Sequence, residues 1–116
     1  MHELSIALSL IDAASEELAR HAGARVMAVH LRIGSLAGVV SDALLFSFDT
    51  AAAGTPLEGA RLAITTVPAR VWCGRCEGER DLEDPANRRC PVCGAPAPRL
   101  VAGDELEVVA LEIAAA

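Results

Sequence analysis

Cys73-Gly-Arg-Cys76 and Cys90-Pro-Val-Cys93, with thirteen residues between them, are the stretches that decide the fold of this chain. They hold all four cysteines of the 116-residue sequence, so no cysteine is left over. Two Cys-x-x-Cys hooks at this separation supply the four thiolates of a tetrahedral Zn²⁺ site. Cysteines used as a metal set are typical of a reducing compartment, and we expect a cytoplasmic protein.

Three interpretations of the cysteine set compete. A catalytic zinc would keep an open position, usually with histidine or water, yet residues 70–103 contain no histidine. A redox-active Cys-x-x-Cys pair would lie between a strand and a helix, whereas both hooks lie in sequence rich in turns and proline. A closed, structural Zn²⁺ site is therefore favoured, and a rubredoxin-like tetrathiolate iron site is the minor alternative.

Composition excludes several classes of protein. The net charge is −6, and every basic residue is arginine, so a general nucleic-acid binder is not expected. No apolar run approaches the roughly 20 residues of a transmembrane helix, and no signal peptide opens the chain. We expect neither nucleic acid nor membrane as a partner. No Ser/His/Asp, Cys/His or paired-carboxylate arrangement indicates an enzyme.

The flanking sequence alternates helices and strands. Apolar periodicity predicts a helix over residues 3–21 and a second helix from Ser41, as N-cap, to Ala53. Strands are predicted over residues 25–33, about 61–69 and about 105–113. The predicted buried side chains of the helices are Leu4, Ala7, Leu8, Ile11, Ala14 and Leu18 in the first, and Leu44, Leu45 and Phe48 in the second.

The cysteine segment has a composition unlike that of its flanks, with four prolines and many Arg, Glu and Asp. It is too short and polar to fold alone, so the metal must supply its stability. We therefore expect an α+β fold, in which residues 1–69 and 104–116 form a small two-helix domain with a three-stranded mixed sheet. A zinc-ribbon-like domain, residues 70–103, is inserted into it.

The second residue, His2, is a candidate ligand for a different metal. The α-amine of Met1, the amide nitrogen of His2 and its imidazole can close adjacent chelate rings, with Glu3 as a fourth donor. Such a nitrogen-rich, planar set suits Ni²⁺ or Cu²⁺ better than Zn²⁺. Taken alone, a Met-His start is a weak signal that occurs by chance, and a frayed terminus is the favoured interpretation. His21 and His30 are expected to have no ligand role, the first at a helix end and the second on a strand surface.

Three features occur in a characteristic order: Met1-His2-Glu3-Leu4-Ser5, the segment LRIGSLAGV from Leu31 to Val39, and the paired cysteine hooks. Together with the Gly54-Thr55 turn and the C-terminal strand, they resemble the HypA family, the nickel-incorporation proteins of [NiFe] hydrogenase maturation. The resemblance extends over essentially the whole chain. Some members carry histidines beside the zinc cysteines, and this sequence has none there.

The resemblance implies a nickel metallochaperone. Nickel would bind as cargo at Met1, His2 and Glu3, and structural zinc would bind at Cys73, Cys76, Cys90 and Cys93. The implied partners are the HypB GTPase and the [NiFe] hydrogenase large subunit or its maturation complex; in some relatives the machinery also serves urease. The alternative function is a zinc-ribbon module that binds another protein without delivering nickel.

Overall fold

The computed structural model describes residues 2–115, which form two helices and six strands in two three-stranded sheets. The elements in chain order are α1 (Glu3–Leu18), β1 (Arg25–Gly34), α2 (Ser41–Ala52), β2 (Arg61–Val67), β3 (Arg70–Cys73), β4 (Gly78–Asp81), β5 (Leu100–Ala102) and β6 (Leu106–Ala114). The expected α+β class is confirmed. Neither helix is long and apolar enough to cross a membrane, as judged over the described residues.

The first helix buries Ala7, Ile11, Ala14 and Leu18, as its periodicity predicts, but not the other two predicted residues. Leu4 and Leu8 are exposed, and Ile6 and Leu10 are buried in their place. The start of α1 carries more apolar residues than one face can hold, so periodicity alone does not select the buried face. The helix also ends at Leu18, three residues before the predicted end, and His21 follows it in a turn.

The second helix packs against the first. Its N-cap lies one residue before the predicted N-cap. Val40 is its N-cap and makes no side-chain capping bond, so the prediction of Ser41 as N-cap is wrong. Leu44 and Phe48 are buried as predicted, but Leu45 is 38% exposed and lies off the buried face.

The first sheet has the strand order β2-β1-β6, which makes β1 the central strand. Val26 and Ala28 share a face of β1 with His30, which is expected at a strand surface, yet both are buried. A central strand covered on both faces does not alternate cleanly between apolar and polar residues. On the edge strand β6, Val109 is 53% exposed.

Contacts between residues divide the chain into two compact units. The first takes the described residues up to Leu31, then Gly38–Thr65 and the chain from Glu107 onward. The second takes Arg32–Ala37 and Thr66–Leu106, and so extends beyond the predicted insert at residues 70–103. Separate folding of the two predicted domains stays a prediction.

The second unit contains the sheet β4-β3-β5, in which β3 pairs antiparallel with both neighbours. Its small apolar core consists of Ala69, Val71, Leu82 and Ala97, with Leu36 and Leu100 packed against them. Four buried residues are little apolar area for a unit of this size, so another source of stability is required.

Two glycines allow a close backbone approach within this unit. Gly34 donates its N–H to the Glu105 carbonyl at 2.8 Å, and a Cβ at position 34 would lie 2.1 Å from the carbonyl carbon of Gly103. Gly103 itself has φ +121°, a conformation that side chains rarely adopt, and its carbonyl accepts from Leu36 N–H. The loop after β1 is thereby tied to the segment before β6.

Candidate metal centres

The fold brings the four predicted zinc ligands together. Cys73 ends β3, Cys76 lies in the turn that follows, and Cys90 and Cys93 lie in the turn-rich segment beyond β4. Their Sγ atoms all lie within 4.8 Å of one another, and Cys73–Cys93 and Cys76–Cys90 are separated by 3.6 and 3.8 Å. A tetrahedron of Zn–S bonds of about 2.3 Å has sulfur–sulfur edges of about 3.8 Å. The two short separations match these edges, so the cluster is suited to a Zn²⁺ ion.

Backbone N–H groups are already directed at two of the sulfurs. Cys76 N–H donates to Cys73 Sγ at 3.3 Å, and Cys93 N–H donates to Cys90 Sγ at 3.5 Å. In each hook, the backbone N–H of the second cysteine thus donates a hydrogen bond to the sulfur of the first. Donors of this kind stabilise the thiolate form that a metal needs.

The turn after each hook requires an unusual backbone conformation. Gly94 has φ 75°, as its position after the second hook predicts, and its N–H donates to the Cys90 carbonyl at 2.9 Å. Glu77 holds the equivalent place in the first hook with φ 54°, although it carries a Cβ. The two hooks therefore share one geometry, and only the second has the residue that adopts it without strain.

The hydrogen bonds separate the acidities of the thiols in the metal-free chain. The N–H groups of Cys93 and Val92 lower the pKa of Cys90 to about 6. The Cys93 side chain, followed by burial, raises the pKa of Cys76 to about 11. The Cys76 N–H lowers the pKa of Cys73. The hydrogen bonds thus favour the thiolate form, which a metal needs, more at Cys73 and Cys90 than at Cys76.

Arg80 is a residue at this cluster that sequence analysis missed. It lies on β4 opposite Val71. The Cys76 side chain, opposed by burial and supported by Cys90, raises the pKa of Arg80. Strand alternation is the signal that could have found it. Gly78 pairs with Cys73, and Arg80, two residues further on, lies on the same face of the sheet as Gly78. Six arginines in the segment make this one hard to select from sequence.

His2 is exposed and acts as the N-cap of α1. Its backbone is extended, with φ −83° and ψ 130°, and its Nδ1 accepts a hydrogen bond from Leu4 N–H at 3.3 Å. The His2 carbonyl accepts from Ile6 N–H at 3.2 Å. Glu3, the first helical residue, adds a negative charge at the positive end of the helix dipole. The remaining predicted nickel ligand, Met1, lies outside the described residues.

The other two histidines lie away from either set of predicted ligands along the chain. His21 follows α1, with its Nε2 at 3.8 Å from the Glu17 carboxylate. His30 is partly buried in β1, and its Nε2 lies 3.5 Å from the carboxylate of Glu112, which also pairs with Arg61 at 3.4 Å. Both contacts have the character of surface ion pairs.

The fold and the cysteine cluster define a small α+β metal-binding protein. The sequence model of the family described as "Hydrogenase/urease nickel incorporation, metallochaperone, hypA" matches residues 1–113. The chain therefore belongs to the HypA family of nickel-incorporation metallochaperones.

Similar proteins agree with this family. A hydrogenase maturation factor HypA from Roseiflexus sp. (strain RS-1) is 56% identical over 97% of this chain and 91% of its own length. One from Chloroflexus aurantiacus is 54% identical, with 97% and 98% covered. Two solved structures share the fold at about one-fifth identity. A HypA solution structure has TM-score 0.75, with 100% and 98% covered, and the nickel metallochaperone HypA from Helicobacter pylori has TM-score 0.67, with 100% of both chains covered.

Proposed function

We propose that this protein binds Ni²⁺ at Met1, His2 and Glu3 and delivers it for the maturation of [NiFe] hydrogenase. Family membership over residues 1–113 is the observation that carries the proposal. The relatives from Roseiflexus and Chloroflexus are named for hydrogenase, which supports hydrogenase as the recipient. Delivery, rather than catalysis, is the role that we assign to the chain.

The chemistry of the terminus supports exchangeable nickel binding. A chelate that joins the amide nitrogen of His2 to its own imidazole closes a six-membered ring through Nδ1. The same Nδ1 lone pair accepts the capping bond from Leu4 N–H. Nickel must therefore displace the cap, and the helix regains the cap when nickel leaves. This competition weakens binding and favours release to a recipient.

Zinc has the opposite role in the proposal. Cys73, Cys76, Cys90 and Cys93 supply four donors, so a bound Zn²⁺ has no open coordination position. The ion would hold the hooks, and with them the sheet β4-β3-β5, in place. Its contribution is structural, because a closed tetrathiolate site has no place for a substrate.

The proposed partners are the HypB GTPase and the hydrogenase large subunit or its maturation complex, in the cytoplasm. Four thiols kept as metal ligands suit a reducing compartment. The exposed position of His2 supports direct transfer, because a partner's donors can reach the imidazole without any unfolding of this chain.

Nickel titration of two proteins that differ only in their N-terminus tests the proposal. One begins at Met1, and the other carries Gly-Ser before Met1, which removes the free amine from the chelate. We expect the extension to abolish high-affinity nickel binding while one zinc per chain is retained. Equal nickel affinity of the two proteins would contradict the terminal-amine site.

His2→Ala is the complementary variant, and His21→Ala is its matched control. Both changes remove one exposed imidazole near an end of α1. Only His2→Ala should lose nickel binding. A chain that retains zinc but binds no nickel with its native start would instead support the zinc-ribbon interaction module.

A further inference from the structure

We propose that Arg80 is a positioning residue of the zinc site, which donates to the Cys76 thiolate and offsets the negative charge of the metal-bound cysteines. The proposal rests on the proposed zinc site, and it extends that site by one residue outside the four ligands. Arg80 would determine how firmly the first hook retains its metal.

Strand register places Arg80 on the same side of the sheet as the cysteine cluster. In the antiparallel pair β3–β4, Val71 lies opposite Arg80 and Cys73 lies opposite Gly78. Residues directly opposite each other project to the same face. Val71 and Cys73 are both fully buried, so Arg80 projects toward the buried side of β3 instead of toward solvent.

Gly78 provides the space that the guanidinium occupies. A Cβ at position 78 would lie 3.1 Å from Arg80 Nη1, and the next two atoms near it also belong to the Arg80 guanidinium. The side chain therefore lies back over the glycine, and Nη1 donates to the Glu79 carbonyl at 2.9 Å. Any larger residue at position 78 would push the guanidinium away.

One nitrogen of this cation is buried without a partner, which needs an explanation. Arg80 Nε is inaccessible to solvent and has no hydrogen-bond partner among the described residues. An unsatisfied buried donor costs free energy, and a charged one costs more. A cluster of thiolates is a compensating charge.

The backbone hydrogen bonds within the hooks do not serve all four sulfurs. The hook N–H bonds reach Cys73 and Cys90, the first sulfur of each hook. Neither bond reaches Cys76, and the Arg80 guanidinium lies over Gly78, two residues beyond Cys76 in the chain. A site of four thiolates and one divalent ion has a net charge of −2. A guanidinium beside Cys76 offsets part of that charge at a ligand that accepts neither of the hook N–H bonds.

Chelator competition on the zinc-loaded protein tests the assignment. We expect Arg80→Gln to lose zinc to a competing chelator with about tenfold weaker affinity, as is typical when an outer partner of a metal ligand is removed. Arg75→Gln, which removes an exposed arginine inside the first hook, is the matched control for net charge and should behave as the parent protein. Arg80→Lys keeps the charge but loses the planar guanidinium, so its zinc affinity should lie between those of Arg80→Gln and Arg75→Gln.

The midpoint potential of the iron-substituted protein gives a readout that a merely structural role would not move. Reduction of Fe³⁺ to Fe²⁺ in a tetrathiolate site adds one negative charge, which a nearby cation favours. Arg80→Gln should therefore lower the potential, and Arg75→Gln should lower it less. If Arg80→Gln does not fold, Arg80→Lys carries the same comparisons.

The outcomes separate this proposal from the others. Unchanged zinc affinity and potential in a folded Arg80 variant, or equal effects of Arg75→Gln and Arg80→Gln, would overturn it. A parent protein that retains no zinc would overturn both the zinc assignment and the role of Arg80. Failure of the nickel proposal changes neither measurement, because nickel takes part in neither.

Discussion

The cysteine cluster and the N-terminus differ in how far their donors are assembled before a metal arrives. Four sulfurs from two distant hooks already lie at the spacing of a tetrahedral site, with N–H groups directed at two of them. At the terminus, the one described imidazole donor is occupied by the backbone of its own helix. A preassembled site retains its ion, whereas a site that must break a bond to bind its ion can return it.

The comparison also separates what each metal would stabilise. The unit with the cysteines contains a small apolar cluster of four buried residues, so the loss of its metal should disturb the structure of the whole unit. The unit with α1 has an apolar core that includes Val29, Leu31 and Phe48, so its fold should not depend on cargo.

Cys73→Ser should have the largest effect. The change removes a fully buried ligand, and the sheet β4-β3-β5 should lose its defined structure together with its zinc. The helix α1 should persist. Zinc analysis and an amide NMR spectrum of the same sample measure both effects. Gly74→Ala is the control, because a Cβ there meets nothing within 4 Å; retention of a folded sheet in the metal-free Cys73 variant would break the contrast.

Leu4→Pro should strengthen nickel binding. Proline removes the N–H that bonds His2 Nδ1, and it is tolerated in the first turn of a helix. If the cap is worth about 1 kcal/mol, nickel affinity should rise about fivefold. Leu4→Ala, which keeps the N–H but shortens the same side chain, should leave affinity unchanged. Isothermal titration of both variants measures the difference, and an equal affinity would show that the cap and the metal do not compete.

Substitution of His2 should separate capping from nickel binding. Asparagine is a strong N-cap but cannot complete the imidazole chelate, so His2→Asn should retain the stability of α1 and lose nickel. His2→Ala should lose nickel and also about 1 kcal/mol of stability. Thermal unfolding of the three proteins without nickel tests the ranking. Equal stability of the alanine and asparagine variants would remove the cap from the account.

Glu105→Gln measures a contribution to the second unit that involves no cysteine. The Gly103 N–H donates to Glu105 Oε1 at 2.7 Å, and backbone N–H groups, with Arg32, lower the pKa of Glu105 below its ordinary value of 4.5. A carboxyl group with a lowered pKa stabilises the fold above its ordinary value, and this stabilisation is lost as pH falls through the lower, folded value.

The stability gap between the parent and Glu105→Gln should therefore be constant from about pH 7 to about pH 5 and close at lower pH. Thermal unfolding across this range measures the gap. Glu79→Gln, an exposed carboxyl change in the same unit, should open no comparable gap. A gap that widens in acid would contradict the assignment.

The sequence predicted the cysteine cluster more reliably than the helix faces, for a physical reason. A tetrathiolate site needs particular side chains at particular spacings, and Cys73 to Cys93 contain both. The buried face of α1 depends instead on what packs against it, and Ile6 and Leu8 are equally apolar candidates. The cap at His2 and the place of Arg80 arise from local geometry that residue types do not specify.

The short approach between Gly34 and Gly103 has a consequence for anyone who diversifies this protein. Neither glycine belongs to a candidate metal centre, yet a Cβ at position 34 would lie 2.1 Å from backbone that cannot move aside as a side chain can. A randomised library selected only for folding should therefore retain glycine at position 34, while position 2 should also accept other N-capping residues such as asparagine. Selection for nickel delivery would restore His2, so the two screens would divide the chain into residues that build it and residues that use it.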